Sequence, residues 1–308
     1  KAYLASGGLI NYDSPVTKIL FENNEVVGVL VNNKSIEADS VILASGGFEA
    51  NDELRKLYIG KDWGAAKVRG TPHNTGDGLM MALDIGAMKH GLYDGCHATP
   101  MDLYMKNYGG LDLEPSERKN YRKICYFLGI MVNAEGKRFL DEGKNFRNYT
   151  YAQYGRKVLE QSGNFAWQIF DSKVFDLLYE EYRFHDAHFV EGTTLDDIIS
   201  KLEGVDKNEV KKTIQEYNDS VDTKIEFDPT ILDGKSTKGL EISKSNWAQK
   251  LDKGPFKAFP VTGGITFTYG GLKVSENGSV INIDNKPIKG LFACGELIGG
   301  VFFNGYPG

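Results

Sequence analysis

Val41–Asn51 reads VILASGGFEAN, and this stretch sets the expected fold of the surrounding chain. The apolar run Ser40–Ala44 is typical of a strand that is buried on both faces of a parallel sheet. Ser45-Gly46-Gly47 then lets the backbone turn sharply and come close to a ligand. The pattern becomes helical after Asp52. We therefore predict a strand, a glycine turn and a helix, as in α/β proteins.

The sequence on either side predicts further strands and helices. Val16–Val31 is typical of a β-hairpin that turns at Asn23-Asn24. Thr75-Gly76-Asp77-Gly78 precedes the apolar helix Leu79–Ala87, and the free N–H groups at such a helix start favour an anion or a polarised oxygen. A plain N-terminal cap by Asp77 predicts the same spacing. Short strands are expected near the C-terminal end, at Leu272–Val274, Val280–Ile283 and Gly290–Cys294.

The middle of the chain, from about Met101 to Pro260, differs in composition, with more aromatic and charged residues. Helical patterns at Ala152–Gln161, Thr194–Leu202 and Lys207–Asn218 are separated by irregular segments. We interpret this region as a separate domain inserted into the first.

Composition excludes several functional classes. The chain has 308 residues, and its net charge of -6 includes no run of like charge that would suit nucleic acid. No apolar stretch approaches the roughly 20 residues that a membrane span needs. Cys96, Cys125 and Cys294 are far apart and odd in number, so they indicate neither a disulfide framework nor a metal site. This cysteine usage favours a cytoplasmic location.

Four segments, in the same order, resemble the flavoproteins of the fumarate reductase and succinate dehydrogenase family. They are VILASGGFEAN, TGDGLMMALDIGA from Thr75, GIMVNAEGKRFLDE from Gly129 and GLFACGELIGG from Gly290. Within that family, GKRFLDEGKNF, VTGGITFTYGGLKV and GELIGGVFFNGYPG are most similar to the tricarballylate dehydrogenase group. The resemblance implies an α/β and α+β fold, in which an inserted capping domain closes over the substrate of a glutathione reductase-like FAD-binding domain.

The resemblance also implies domain limits. It assigns residues 1–98 and 261–308 to the FAD-binding domain and 99–260 to the cap. Family members carry a GxGxxG turn before these motifs and a glycine-rich helix after the final Pro-Gly, and this sequence has neither. The turn supplies backbone donors to the FAD pyrophosphate. We therefore expect an internal fragment with an incomplete FAD-binding domain, weak or absent FAD binding and exposed apolar sheet edges.

The resemblance implies which residues contact FAD. Ala44, Ser45, Gly46 and Gly47 would lie beside the adenosine part, and Asp77 and Gly78 would lie beside the flavin. Glu296, in ACGE, would accept hydrogen bonds from the ribityl hydroxyls.

The implied reaction desaturates or reduces a carbon–carbon bond next to a carboxylate, with hydride transfer to or from the flavin and proton transfer to or from an arginine. In the family that arginine follows GKRFxNE. Arg147 lies one residue beyond the family position, which holds Phe146 here. We assign the proton-transfer role to Arg147 and propose Glu142 as its relay, because a guanidinium has a pKa above about 12. An exposed loop arginine is the alternative.

Substrate-binding residues are implied in the same way. His97, in CHATP, resembles a histidine that binds a substrate carboxylate, with a structural histidine as the alternative. The later histidine pair of the family is replaced by Thr266-Phe267-Thr268-Tyr269, and its C-terminal arginine is missing, so fumarate and succinate are not favoured. Hydroxyl or amide groups are expected to bind substrate, with packing as the alternative, at Thr268, Tyr269, Asn304 and Tyr306.

The sequence therefore predicts a flavin-dependent oxidoreductase for a small polycarboxylate such as tricarballylate. A fumarate/succinate or 3-oxosteroid oxidoreductase is a second hypothesis, and the steroid case would predict an apolar cleft. A third hypothesis is an inactive fragment that acts only as a binding module. A small carboxylate is the expected partner, and an Fe–S or quinone partner for electron transfer is left open.

Overall fold

The computed structural model describes residues 2–108, 111–303 and 305–306. The strands are β1 (Val16–Glu22), β2 (Glu25–Val31), β3 (Lys34–Glu37), β4 (Val41–Leu43), β5 (Lys67–Val68), β6 (Lys89–His90), β7 (Cys96–Asp102), β8 (Ile130–Val132), β9 (Phe165–Asp171), β10 (Val190–Gly192), β11 (Phe256–Thr268), β12 (Gly271–Leu272), β13 (Ser279–Ile281) and β14 (Pro287–Ala293). The α-helices are α1 (Ala2–Ala5), α2 (Asp52–Tyr58), α3 (Asp77–Asp84), α4 (Arg147–Leu159), α5 (Leu195–Ser200) and α6 (Lys207–Ser220).

The chain divides into two compact units. The first contains Lys1–Phe48, Asn74–Tyr93 and Tyr269–Phe303, and the second contains Glu49–His73, Asp94–Thr268 and Asn304–Gly308. The domain limits expected from the sequence, after residues 98 and 260, fall inside strands β7 and β11. The assignment of an FAD-binding domain and a cap stays a proposal.

The first unit is built around strand β14. This strand runs parallel to β2 and β4 and antiparallel to β13. Strands β1 and β2 form the predicted hairpin, whose turn residues Asn23 and Asn24 have φ angles of 51° and 64°. Asparagine tolerates this left-handed conformation, which two-residue hairpin turns require. The hairpin prediction is confirmed.

Strand β4 differs from its prediction. Leu43 is buried, but Ile42 is 67% exposed and Ala44 is exposed as well. The expectation of burial on both faces is therefore wrong for the described chain. The apolar pattern is that of a strand covered on both sides, whereas the described residues cover only the face that carries Leu43.

Strand β11 organises the second unit. It pairs antiparallel with β9, β10 and β7, and parallel with β5. The buried apolar clusters of this unit include one that contains Phe170, Trp247 and Phe259 and another that contains Ile169, Val210 and Ala258. β11 was not predicted, because its FPVTGGITFT segment is interrupted by a proline and two glycines that usually indicate loops.

Helix α4 packs directly against the backbone of β7 and β11. A Cβ atom on Gly155 would lie 2.5 Å from the Thr99 nitrogen, and one on Gly263 would lie 2.4 Å from the Gly155 oxygen. Real Cβ atoms do not approach so closely, so glycine is required at both positions for the helix to lie this near to the strands. This contact fixes α4, and every side chain that it carries, relative to β7.

Helix α1 was not predicted, whereas the predicted helices are present and differ only at their ends. Helix α3 ends at Asp84, earlier than predicted, and Gly86 beyond it has a φ of 93°. Helix α4 begins at Arg147, earlier than the predicted Ala152, while α5 and α6 lie within a few residues of prediction. None of the helices in the described ranges is long and apolar enough to cross a membrane.

Replacing Gly155 by valine tests the packing of α4. We expect Gly155→Val to lower the free energy of unfolding by about 1–3 kcal/mol, because the added atoms would push the helix away from β7. Gly70→Val is the matched control, since a Cβ on Gly70 meets no atom within 4 Å. Chemical denaturation measures both variants, and an equal loss in the two would contradict the account.

Candidate functional site

Strands β4 and β14 end side by side in the first unit. Ala293 pairs with Leu43, and the Cys294 N–H donates a hydrogen bond of 3.0 Å to the Leu43 carbonyl. Ligands of open parallel sheets bind beyond the carboxyl ends of the strands. The parallel pairing places two of the predicted cofactor-binding segments at this one edge, Ala44–Gly47 after β4 and Glu296 after β14.

The remaining predicted cofactor residues lie at the same edge. A Cβ on Gly78 would lie 2.1 Å from Ser45 Oγ, so α3 approaches the Ser45 turn closely. Asp77 is the first residue of α3 and its Oδ2 accepts a hydrogen bond of 2.8 Å from Thr75 Oγ1. The helix is preceded by Gly76 in the left-handed region, with no side-chain cap, so the alternative of a cap by Asp77 is wrong.

The chemistry of this edge fits a flavin nucleotide. Ala44, Ser45 and Gly295 are exposed, and no atom of the described residues lies within 4 Å of a Cβ added to Gly295. The Glu296 carboxylate is half-buried and is of the type that accepts hydrogen bonds from hydroxyl groups. These residues would hold FAD, and their individual roles remain proposals.

In the second unit, His97 lies in β7 and is almost completely buried, with 1% of its surface exposed. Its Nδ1 has no hydrogen-bond partner among the described residues. Three aromatic rings surround it, those of Tyr151 at 5.0 Å, Phe267 at 5.1 Å and Tyr306 at 5.1 Å between centroids. Burial, followed by the charge of Arg69, lowers the pKa of His97 to about 4, so the ring is neutral at pH 7.

The pairing of β7 with β11 is irregular beside His97. Ala98 pairs with Ile265 and His97 pairs with Phe267, so Thr266 is an extra residue in β11. Such bulges redirect side chains and are frequent beside active sites. Thr266 Oγ1 is buried and has no hydrogen-bond partner within the described part of the chain. Two unpaired polar atoms therefore occur at one bulge.

Arg69 is a candidate residue that the sequence did not indicate. Val68 pairs with Ile265, and the Arg69 N–H donates to the Ile265 carbonyl at 2.8 Å, so Arg69 lies across β11 from the β7 segment that carries His97. Its half-buried guanidinium makes no hydrogen bond or ion pair with any residue that the structure describes. Burial, followed by the charge of Arg122, lowers the pKa of Arg69.

Arg147 begins helix α4 and is half-buried, so it is not in an exposed loop. Its Nε donates a hydrogen bond of 3.0 Å to Tyr179 Oη, and its guanidinium carbon lies 5.2 Å from the centre of the Tyr179 ring. Arg122, which the sequence also did not indicate, forms an ion pair of 2.6 Å with Glu181. Burial and Tyr306 raise the pKa of Tyr151. The opposing effect, which lowers it, comes from the positive charges of Arg69, Arg122 and Arg147.

Glu142, the predicted relay, is fully buried in another set of contacts. Arg138 binds both of its oxygens, at 3.0 and 2.5 Å, and the Met131 N–H donates to it at 2.9 Å. No hydrogen bond or ion pair joins Glu142 to Arg147 in the described chain. The structure thus gives Glu142 a stabilising role, and its function as a relay stays a prediction.

The predicted substrate-binding residues fall into three groups. Thr268 is buried beside Cys96, its partner in β7, and Tyr306 packs against His97. Tyr269 belongs to the first unit, where its ring lies 5.7 Å from that of Phe302. Asn304 lies outside the described residues. The structure brings His97 and Tyr306 together, and it adds Arg69 and Tyr151 to them.

Comparisons with known proteins identify the family of this chain. Residues 2–308 match the protein family described as FAD binding domain. A probable fumarate reductase of Shewanella frigidimarina (strain NCIMB 400) is 30% identical over 302 residues, which are 94% of this chain and 45% of that protein. A 3-oxosteroid 1-dehydrogenase of Mycolicibacterium smegmatis is 26% identical over 329 residues, covering 96% of this chain and 55% of that protein.

Among solved structures, the open conformation of a flavocytochrome c3 fumarate reductase matches with a TM-score of 0.72 and 27% identity. The match covers 97% of this chain and 49% of that structure. The chain thus spans about half the length of the proteins that it matches. The mixed α/β FAD-binding fold predicted from the sequence is confirmed.

The pH dependence of stability tests the state of His97. Because the folded pKa of about 4 lies below the value of about 6.5 in the unfolded chain, the unfolded state takes up the proton first as the pH falls. We expect His97 to lower the free energy of unfolding by about 2 kcal/mol as the pH falls from 7 to 5. His97→Gln should abolish this loss.

Denaturation of the wild type and of His97→Gln at both pH values measures the difference. His73→Gln is the matched control, since His73 is exposed. A His97→Gln variant with an unchanged dependence on pH would show that His97 titrates as an ordinary histidine.

Proposed function

Because this chain belongs to the FAD binding domain family, we propose that it is part of a flavin-dependent oxidoreductase that acts on a carbon–carbon bond next to a carboxylate. The substrate class is a small polycarboxylate, of which tricarballylate is an example. Bound FAD supplies hydride transfer to or from carbon. The residues of the second unit supply binding, orientation and proton transfer.

The main support for this proposal is Arg69, whose guanidinium has no partner among the described residues. Arg69 is bonded to β11 next to the bulge at Thr266. A desolvated charge without a partner costs free energy, and burial already lowers the pKa of this group. A carboxylate satisfies a guanidinium with two parallel hydrogen bonds. A neutral His97 offers Nδ1 as a further donor in one of its tautomers. The arrangement therefore favours an anionic ligand.

The density of positive charge favours more than one carboxylate. Arg122 and Arg147 both act electrostatically on Tyr151, as Arg69 does. Glu181 neutralises Arg122 in part, whereas Arg147 is held by a hydrogen bond to the Tyr179 hydroxyl and by no carboxylate among the described residues. A second carboxylate would compensate charge that the protein leaves unbalanced.

A 3-oxosteroid is the second candidate substrate. The rings of Tyr151, Phe267 and Tyr306 around His97 favour it, as does the similarity to a 3-oxosteroid 1-dehydrogenase. A neutral steroid would leave the Arg69 charge unpaired, so we prefer the carboxylate. Fumarate and succinate also carry carboxylates that could pair with the Arg69 charge. Each has fewer carboxylates than tricarballylate and would compensate less of the positive charge. A separate electron-transfer partner and a cytoplasmic location remain predictions.

Binding measurements test the proposal before turnover does. We expect the protein to bind tricarballylate, with Arg69→Gln weakening binding roughly 10- to 100-fold, because a charged hydrogen bond contributes about 1.5–3 kcal/mol. Calorimetric titration measures the affinity. Arg183→Gln is the matched control, since Arg183 is an exposed arginine of the same unit.

Turnover with added FAD then separates the candidates. We expect dye reduction in the presence of tricarballylate and none with a 3-oxosteroid. Tighter binding of the steroid, or an affinity for carboxylates that Arg69→Gln leaves unchanged, would contradict the proposal. The same titration with FAD alone measures whether this chain holds the cofactor.

A further inference from the structure

We propose that Tyr151, on helix α4, is the proton-transfer residue of this site. The inference rests on the proposed function, because it assigns one step of that reaction. It departs from the sequence-based assignment, which gave the step to Arg147.

The packing of α4 places Tyr151 against His97. Gly155 brings the helix against the backbone of Ala98 and Thr99, and Tyr151 lies one turn before Gly155. Its ring meets the His97 ring edge to face at 5.0 Å and the Tyr306 ring at 6.5 Å. Tyr151 is thus in direct contact with both of the substrate-binding candidates that the structure brings together.

Arg147 lies on the same face of the helix, because residues four apart in an α-helix are neighbours. The Arg147 side chain, however, is engaged by Tyr179 through a hydrogen bond of 3.0 Å and the face of the ring. A guanidinium is also a poor proton donor, since its pKa exceeds about 12. Of these two residues, Tyr151 is the one that contacts His97.

The Tyr151 hydroxyl is unusual among the buried tyrosines of this unit. The residue is 9% exposed, yet no hydrogen bond to its Oη occurs in the described ranges. By contrast, Tyr126 Oη bonds to Thr150 Oγ1 at 2.7 Å, and Tyr154 Oη bonds to the Asp141 carbonyl at 2.5 Å. A tyrosine hydroxyl that has no protein partner is available to donate a hydrogen bond to a ligand.

The surrounding charges suit proton transfer from this hydroxyl. Burial and Tyr306 raise the Tyr151 pKa above its usual value of 10, which keeps the hydroxyl protonated at neutral pH. Arg69, Arg122 and Arg147 oppose this shift, because each stabilises the phenolate. The phenolate left after proton transfer would therefore be formed among three positive charges.

In the reducing direction, the substrate gains one hydride and one proton. The carbon–carbon double bond of the substrate accepts a hydride at one carbon, and its π electron pair forms a new C–H bond with the Tyr151 proton at the other carbon. The O–H bond of Tyr151 breaks, its electron pair stays on the phenolate oxygen, and water returns the proton. The hydride is what reduced FAD supplies when it is bound, with FAD oxidised by two electrons.

Tyr151→Phe removes the hydroxyl and keeps the ring against His97. In the protein with an unsaturated tricarboxylate and FAD kept reduced by a chemical electron donor such as dithionite, we expect kcat to fall at least about 100-fold, as for loss of a general acid, with KM within about threefold of wild type. Tyr149→Phe is the matched control on the same helix, because Tyr149 is 61% exposed. Arg147→Lys should keep more activity than Tyr151→Phe.

A second measurement does not depend on turnover. The ultraviolet absorbance of phenolate, recorded against pH for the wild type minus Tyr151→Phe, isolates Tyr151. We expect its pKa to lie above about 10 and to rise further with tricarballylate, because a bound carboxylate offsets the arginine charges.

The two experiments separate a wrong role for Tyr151 from a wrong proposed function. If the wild type turns over the tricarboxylate and Tyr151→Phe does so at a similar rate, Tyr151 is not the proton donor while the proposed function stands. If the wild type neither binds nor turns over carboxylates, the proposed function fails. A Tyr151 pKa that does not respond to tricarballylate then overturns this inference as well.

Discussion

The irregular pairing of strand β11 with β7 is the constraint on which the candidate site depends. The extra residue, Thr266, lies next to Phe267, the partner of His97, and two buried polar atoms, Thr266 Oγ1 and His97 Nδ1, have no partner among the described residues. On the other edge of β11, the bond from the Arg69 N–H to Ile265 fixes Arg69 at the same level of the sheet. Because Gly155 and Gly263 lack side chains, α4 packs directly on these strands and places Tyr151 on His97.

Charge balance separates the structural arginines from the candidate functional ones. Arg138 lies in a buried ion pair with Glu142, in which both carboxylate oxygens are satisfied, and it stabilises the second unit. Arg69 has no such partner in the described structure, and its charge acts on His97, a histidine that burial keeps neutral. A protein that leaves a desolvated cation unpaired loses stability there, and a bound anion restores it. This difference points to a binding role for Arg69.

The sequence predicted the parts of the site that lie in recognisable local motifs. His97 and Tyr306 were named in this way and their rings are in contact, while their binding roles stay predictions. The Asn23-Asn24 hairpin followed from turn chemistry. Arg69 was missed because its position depends on the pairing of β5 with β11, which are far apart in the chain. The spacing of Arg138 and Glu142, four residues apart, could have indicated their ion pair. The exposure of Ile42 on one face of β4 was not predicted. An apolar pattern shows which residues could be buried, but it does not show which neighbouring elements are present to cover them.

The most direct test of the carboxylate site is a crystal structure of the protein with FAD and tricarballylate. The account predicts that one substrate carboxylate lies within hydrogen-bonding distance of both the Arg69 guanidinium and His97 Nδ1, next to the bulge at Thr266. A carboxylate bound elsewhere, with Arg69 turned into solvent and His97 Nδ1 bonded to protein or water, would contradict it.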